Sequence, residues 1–351
     1  MLTFASCSGD SYFDGEEIGG YSSEDGVIPE KVIETDGFYY ALIENYAGDK
    51  PYSIAVGEKP EKLHAIYTSN KKSSAWFMDA DGGIAAWTEL AGDKGQKVLV
   101  YNKYNRKINT IYSTKSNNIC QNIGVNNHFV YFAMEDSNKK EVYIACYDAK
   151  KNIIKRVAGT GIKSSKNGEN SLNCLNVNYG NLVYSYSQKG ENIIRSIDID
   201  KNDNYEYKAR TIKLKKKEVK YVYALAFDGL SQCIGLYYTE PGGTDALGYI
   251  DTDDDFLYFF DYFEDEVYAY HDQLTCSNGV LLYVEQINSS GNILDHYTLR
   301  GYEFKSGSRV INGSAVYAIT VKDSILATRW KEGTNDCVII RGRIKSRDND
   351  I

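Results

Sequence analysis

Ile84-Ala85-Ala86-Trp87-Thr88-Glu89 is a short apolar run that closes on a carboxylate, and versions of it return along the whole chain. Upstream stands Tyr39-Tyr40-Ala41-Leu42-Ile43-Glu44. Downstream follow Val130-Tyr131-Phe132-Ala133-Met134-Glu135, Val183-Tyr184-Ser185-Tyr186-Ser187-Gln188, Gly235-Leu236-Tyr237-Tyr238-Thr239-Glu240, Val280-Leu281-Leu282-Tyr283-Val284-Glu285 and Ile325-Leu326-Ala327-Thr328-Arg329-Trp330. The closing positions are 44, 89, 135, 188, 240, 285 and 330, so the steps are 45, 46, 53, 52, 45 and 45 residues. A regular step of this size marks a repeat architecture, in which each unit buries its apolar faces against its neighbours.

Each run is followed by Gly, Asp, Asn and Lys turn residues and a second apolar stretch, as in Ser53-Ile54-Ala55-Val56, Val98-Leu99-Val100-Tyr101 and Val142-Tyr143-Ile144-Ala145-Cys146-Tyr147. Turn residues between strand-like runs predict antiparallel hairpins. A third stretch follows, seen from Lys62 to Tyr67, Ile108 to Tyr112, Ile153 to Val157 and Arg210 to Leu214, and a fourth precedes the unit, as in Ala75-Trp76-Phe77-Met78 or Tyr221 to Phe227. Four strands per unit make a propeller blade. The pattern therefore predicts an all-β, seven-bladed β-propeller with four-stranded antiparallel blades. The seventh unit runs out after Cys337 to Ile344 without an outermost strand, while Gly26 to Glu34 precedes the first full unit. An extended segment from this N-terminal region is expected to supply the missing strand and close the ring. The expected organisation is a leader remnant and polar tether over 1–26, one propeller over 27–346 and a tail over 347–351.

The segments Gly82 to Tyr112 and Phe129 to Val157 resemble the repeats of TolB-type propellers: an apolar strand, an acidic turn, a strand bearing Val or Ile and Tyr, then a short Asp/Asn/Lys turn. The resemblance implies the fold from about residue 30 to 344, and a fold alone does not assign an activity. A second likeness lies at the start. Leu2-Thr3-Phe4-Ala5-Ser6-Cys7 followed by an acidic, Gly/Ser-rich run to Gly26 resembles the end of a bacterial lipoprotein signal, with Cys7 as the residue to be acylated. Only six residues precede the cysteine, so the basic and apolar parts of a signal are missing and a truncated start is expected. The implied place is the bacterial cell envelope, outside the cytoplasm, with contact to a membrane only through that lipid.

Composition agrees with strands. Among 351 residues there are 31 Tyr, 30 Gly, 4 Pro and 3 Met, and no run of about 20 apolar residues that would span a bilayer as a helix. The formal charge of -8 speaks against nucleic acid, whose binding draws on cations set against phosphate. Of the seven cysteines none forms a C-x-x-C pair, and Cys120, Cys146, Cys174, Cys233, Cys276 and Cys337 sit in or beside apolar segments, as buried thiols do. His64, His128, His271 and His296 show no metal-site spacing. Asp198-Ile199-Asp200 and Asp251-Thr252-Asp253 begin like calcium loops but lack the glycine and the terminal glutamate. Serine-hydrolase and phosphate-loop motifs are missing as well. No metal and no cofactor is called for.

Candidate ligand-binding residues are the ends of the repeated runs: Glu44, Glu89, Glu135, Gln188, Glu240 and Glu285, with Arg329 and Trp330 in the seventh. If these runs are second strands, their ends share the face at which propellers take ligands. A ring of carboxylates there suits sugar hydroxyls, an amine or a cation, and Arg329 beside Trp330 suits a sugar ring or a carboxylate. The plainer reading is that each Glu serves the packing of its own repeat. Trp76 and Trp87 both read as core. Phe256-Leu257-Tyr258-Phe259-Phe260 falls where an outer strand belongs, inside an acidic stretch from Asp251 to Glu266, and is either covered or a contact surface for a protein partner. The function expected is a non-catalytic binding module for a glycan, peptide or protein. The alternatives are a glycan hydrolase or lyase working with mouth carboxylates, and a scaffold subunit docking through blade five.

Overall fold

Side chains alternate across a strand, so a strand whose residues are all apolar must be covered on both faces. The repeated runs are of this kind. In Phe38–Asn45, Tyr40 and Leu42 pack toward Met78, Trp87 and Leu99, while Tyr39, Ala41 and Ile43 pack toward Leu326 and Ile339. The computed structural model describes residues 15–21, 27–45, 51–70, 72–92, 95–116, 119–163, 170–200, 209–212, 219–263, 267–269, 274–287, 297–307, 309–314, 317–321, 324–330 and 337–343.

These residues form seven antiparallel sheets, the seven blades of a β-propeller, with each repeated run as the second strand of its sheet. Blade one is Val27–Thr35, Phe38–Asn45, Tyr52–Gly57 and His64–Thr68, from axis to rim. Blade two is Ser74–Asp81, Ile84–Leu90, Gln96–Asn102 and Lys107–Thr114. Blade three uses Ile123–Asn126, Phe129–Asp136 and Glu141–Asp148, with a rim strand in two pieces, Ile153–Arg156 and Ile162–Lys163. Blade four is Ser171–Asn178, Asn181–Gln188, Glu191–Asp198 and the short Arg210–Ile212, and blade five is Tyr221–Asp228, Cys233–Thr239, Asp245–Asp251 and Phe256–Tyr262. In blade six the inner strand is in two pieces, Val267–Ala269 and Thr275–Ser277, beside Val280–Ile287, Tyr297–Glu303 and Arg309–Ser314. A 3-10 turn, Pro60–Lys62, joins the two outer strands of blade one.

The core is a series of wedges between consecutive blades. Ile84, Val98, Val125 and Phe132 fill the space between blades two and three, Cys146, Leu175 and Tyr184 that between three and four, and Cys174, Phe227 and Leu236 that between four and five. Six cysteines, Cys120, Cys146, Cys174, Cys233, Cys276 and Cys337, are buried free thiols. The inner hairpins turn on left-handed residues: Asp36–Gly37, Gly82–Gly83, Tyr179–Gly180 and Asn278–Gly279 all have positive φ at both positions, as the twist of a two-residue hairpin requires.

Blade seven comes from both ends of the chain: Tyr317–Val321, Ser324–Trp330 and Cys337–Arg343 are completed at the rim by Gly15–Tyr21, with Gly15 opposite Gly342 and Tyr21 opposite Cys337. The closing strand thus lies inside the stretch that composition assigns to a tether. Gly26 to Glu34, the nearer candidate, instead begins the inner strand of blade one. The reason lies in the apolar content of the two stretches. Val32 and Ile33 need burial on both sides, whereas a rim strand needs only one apolar anchor, here Ile18, which packs with Val32, Ile339 and Leu63. Arg341 of the last blade donates to the Glu34 carboxylate and to the Tyr39 hydroxyl (2.7 Å) of the first. Gly19 lies against the 3-10 turn, where an added Cβ would sit 2.9 Å from Pro60 Cβ and 3.1 Å from the Glu61 nitrogen. Gly19→Val is expected to lower stability in urea unfolding by about 1–3 kcal/mol, through overpacking at a joint with no slack, and to expose the N-terminal strand to limited proteolysis.

Candidate functional site

The starts of the inner strands and the ends of the second strands lie at one end of every blade, and hence on one face of the ring. Four inner strands carry a β-bulge there, at equivalent places: Glu30 between Pro29 and Lys31, Trp76 between Ala75 and Phe77, Asn173 between Leu172 and Cys174, and Tyr223 between Val222 and Ala224. A bulge adds an unpaired residue and redirects side chains at the rim of a sheet. Its effect is plainest at Trp76, which is 53% exposed, while Trp87 is fully buried and donates from Nε1 to the Tyr52 hydroxyl (3.2 Å). Trp76 is therefore no core residue: strict alternation reads its face correctly only until the extra residue shifts the register.

Blade five brings Tyr221, also exposed, to the same face with its ring 5.0 Å from that of Tyr223. Blade four contributes a polar cluster. Asn173 donates to Ser187 Oγ (3.0 Å) and Asn192 Oδ1 (2.9 Å), and Ser171 Oγ donates to Asn173 Oδ1 (2.9 Å). All three partners are partly exposed, so this face combines aromatic rings with uncharged amides and hydroxyls.

The carboxylates at the ends of the second strands are mostly held by their own surroundings. Glu89 is 1% exposed, and its carboxylate accepts from the hydroxyls of Tyr52 and Tyr67 in blade one, both at 2.6 Å, and from Lys97 Nζ at 3.2 Å. Burial and that carboxylate push both phenols up, Tyr67 to about 12, which keeps them as donors. Glu285 accepts from Arg300 Nε (2.7 Å), and Glu240 from the Tyr262 hydroxyl (3.3 Å). The backbone nitrogen of Glu135 donates to the Tyr112 hydroxyl of blade two (3.0 Å). Glu44 is half-buried opposite Tyr52, and Gln188 is half-buried opposite Glu191. Arg329 is exposed opposite Val338; Trp330 ends its strand opposite Cys337, and its side chain lies outside the described residues, as does Cys7. The eight positions are spread one or two to a blade around the ring.

A second set of polar residues, unmarked by the repeat, lines the inner strands. Asp79 accepts from the Val125 nitrogen (2.7 Å) and from the Ala80 nitrogen (2.9 Å), and Asp81 accepts from the Asn127 nitrogen (2.7 Å) and from Thr35 Oγ1 (3.0 Å). Between blades four and five Asn176 accepts from the Phe227 nitrogen (3.1 Å), and between five and six Asp228 accepts from the Gly279 nitrogen (2.9 Å). These side chains clamp neighbouring inner strands together. Burial pushes the Asp79 carboxyl up to about 6 against the pull of Lys31 and the two N–H donors. A raised carboxyl with a second one two residues away has the outward look of an acid–base pair. Each of the four oxygens is already a hydrogen-bond acceptor, however, so the pair serves the joint between blades. A polar residue in the middle of an apolar strand was the available sign, and the repeat of the neighbouring run masks it.

No protein-family model and no curated protein matches the sequence. Among solved structures the chain is similar to U3-55K, with a TM-score of 0.52 and 11% identity over 92% of this chain and 98% of that one. It is also similar to a chain of a nidogen/laminin complex (TM-score 0.47, 10% identity, 74% of this chain and 89% of that one). TolB from Acinetobacter baumannii has a TM-score of 0.44 at 11% identity, over 88% of this chain and 65% of its own. The likeness to U3-55K extends to the architecture alone: this chain is a seven-bladed β-propeller, and that fold by itself assigns no function.

The Asp79 joint has a pH signature. A carboxyl raised by folding is most favourable when protonated, so its contribution is fullest at low pH and is lost as pH rises from the ordinary carboxylate range through about 6. Asp79→Asn retains an acceptor for the Val125 N–H and does not titrate. The stability of the variant relative to the parent is expected to rise by about 1–3 kcal/mol between pH 4 and 7, measured as the difference of urea midpoints across that range, and a flat difference would disprove the assignment.

Proposed function

We propose that this chain is a non-catalytic binding module that works outside the cytoplasm and takes a glycan on the face bearing the inner-strand bulges. The observation that carries the reading is the exposed Trp76 on that face, with Tyr221 and the Ser171–Asn173–Ser187–Asn192 cluster. Aromatic faces stack on the C–H faces of sugars, and amides and hydroxyls both give and accept the hydrogen bonds that sugar hydroxyls need. A glycosidase would need two carboxyls roughly 5–10 Å apart, one of them held protonated; the raised one, Asp79, is committed to the neighbouring blade.

Placement outside the cytoplasm rests on the Leu2 to Cys7 stretch and the polar run after it. Cys7 is the acylation site in this reading, and the acidic, Gly/Ser-rich run after it is the polar tether.

Glycan-array binding, with product analysis on the same sugars, tests the function. Trp76→Ala is expected to weaken binding at least about tenfold with an unchanged melting temperature, since an exposed ring contributes little to the core. Release of any cleaved sugar would overturn the non-catalytic reading. For the anchor, expression of the native gene in a bacterial host should yield a precursor that accumulates under globomycin, and a Cys7→Ser form that is no longer membrane-associated. Processing indifferent to the drug would remove the lipid from the account.

A further inference from the structure

The inner hairpins, and the hairpins that join third strands to rim strands, lie on the face of the ring opposite the bulges. On this face blade two turns through Lys103-Tyr104-Asn105-Arg106-Lys107 and blade three through Lys150-Lys151-Asn152. Five cations thus stand in two loops of a chain whose formal charge is -8. In so acidic a chain this excess is local.

Contacts between the blades make the two loops one surface. Lys103 Nζ sits 4.3 Å from the centre of the Phe38 ring of blade one, and the Tyr104 ring lies over Gly83, where an added Cβ would be 2.7 Å from Cε2. A Cβ on the adjacent Gly82 would be 2.8 Å from Asn127 Cα of blade three. Burial holds the imidazole of the next residue, His128, below its ordinary pKa, and the charge of Lys150 close by adds to that. All of these turns fall within the described residues.

Tyr104 is 74% exposed, and Arg106, Lys107, Lys150 and Lys151 are exposed as well. Little neutralises them. Among the described residues Lys151 pairs with the buried Asp148 at 3.5 Å, and no carboxylate pairs with Lys103, Arg106, Lys107 or Lys150. Exposed carboxylates flank the loops at Asp36 of blade one and Asp200 of blade four, and gather at Asp253 and Asp254 of blade five. The face therefore has a basic sector and an acidic one.

An anion meets the basic sector without repulsion, and cations spread over two blades around an exposed phenol suit a bilayer. Lysine and arginine attract anionic headgroups, and tyrosine rings sit at headgroup level. The strand that closes the ring starts on the same face. Gly15, eight residues after Cys7 in sequence, pairs with Gly342 where the third strand of blade seven reaches this side. A lipid on Cys7 would bring a bilayer to this face, and the choice of a bilayer over an acidic protein rests on that part of the proposed function. We infer that Lys103, Tyr104, Arg106, Lys107, Lys150 and Lys151 form a docking surface for a bilayer containing anionic phospholipid, which holds blades two and three against the headgroups and leaves the bulge-bearing face turned away from the membrane.

The test uses the whole chain carrying Cys7→Ser, so that no acyl chain contributes, and phosphatidylcholine vesicles with and without about a third phosphatidylglycerol. In flotation, binding to the anionic vesicles is expected to be at least about tenfold tighter than to the neutral ones, and to be lost as salt is raised. Lys150→Glu with Lys151→Glu and, separately, Arg106→Glu with Lys107→Glu should each weaken binding about tenfold or more. Lys139→Glu with Lys140→Glu makes the same change of charge on the opposite face and should leave binding intact. All six substituted side chains are exposed, so the melting temperature is expected to stay unchanged, and vesicle titration of the parent chain decides the matter without any variant. Equal binding to neutral vesicles, equal loss in the Lys139 and Lys140 control, or no binding to anionic vesicles, with or without binding of polyglutamate, would each overturn the proposal. The assay contains no lipid anchor, so globomycin-indifferent processing would remove the anchor and leave a positive vesicle result standing, while a negative one would leave the anchor and the glycan face untouched.

Discussion

Burial of the second strand on both faces is the constraint from which the rest of the molecule follows. A strand such as Ile84–Leu90, with Ala85 and Trp87 turned to one neighbour and Ile84 and Ala86 to the other, has no solvent side. A stack of such sheets with two ends would leave one apolar layer in water at each end. A ring leaves none, provided the last sheet meets the first. In this chain that meeting rests on Ile18, Ile339 and Val32 in one apolar layer and on Arg341 with Glu34 and Tyr39 beside it.

The same constraint explains where the polar groups went. An inner strand is crowded by its neighbours, and its side chains meet the backbone of the next blade, so Asp79, Asp81, Asn176 and Asp228 accept or exchange hydrogen bonds across the joints. Glu89 does the same further from the axis, tying blade two to Tyr52 and Tyr67 of blade one. A buried acceptor with several donors stabilises the arrangement only while all partners are present, which makes these joints specific for one register between blades. They are attachments between repeats, and the features free to meet a ligand are the ones that depart from the repeat.

Much of this is legible in the chain itself. Continuous apolar runs at a 45 to 53 residue step read as second strands because two-sided burial leaves that mark, and the Gly, Asp, Asn and Lys residues after each run read as hairpin turns. The misreadings have physical causes. Trp76 reads as core because a bulge is a single extra residue with no composition of its own, and the closing strand is hidden in Gly15–Tyr21 because a rim strand needs one apolar side chain, not a pattern of them. The candidate site was legible as a face, through the ends of the repeated runs. Its exposed members Trp76 and Tyr221, and the clamping role of Asp79, follow from contacts between blades, which no single stretch of sequence encodes.

Joining the first strand to the last has a consequence for the order of assembly. Gly15–Tyr21 leaves the ribosome well before its partner Cys337–Arg343, and the pair between Glu34 and Arg341 spans 307 residues of chain. Contacts of that range form slowly, because the loop between them must be closed before they can contribute. The intervening blades can stack as they emerge. The first strand must wait for its partner until Cys337–Arg343 has been made, and its low apolar content suits a segment that has to remain soluble until the ring can shut.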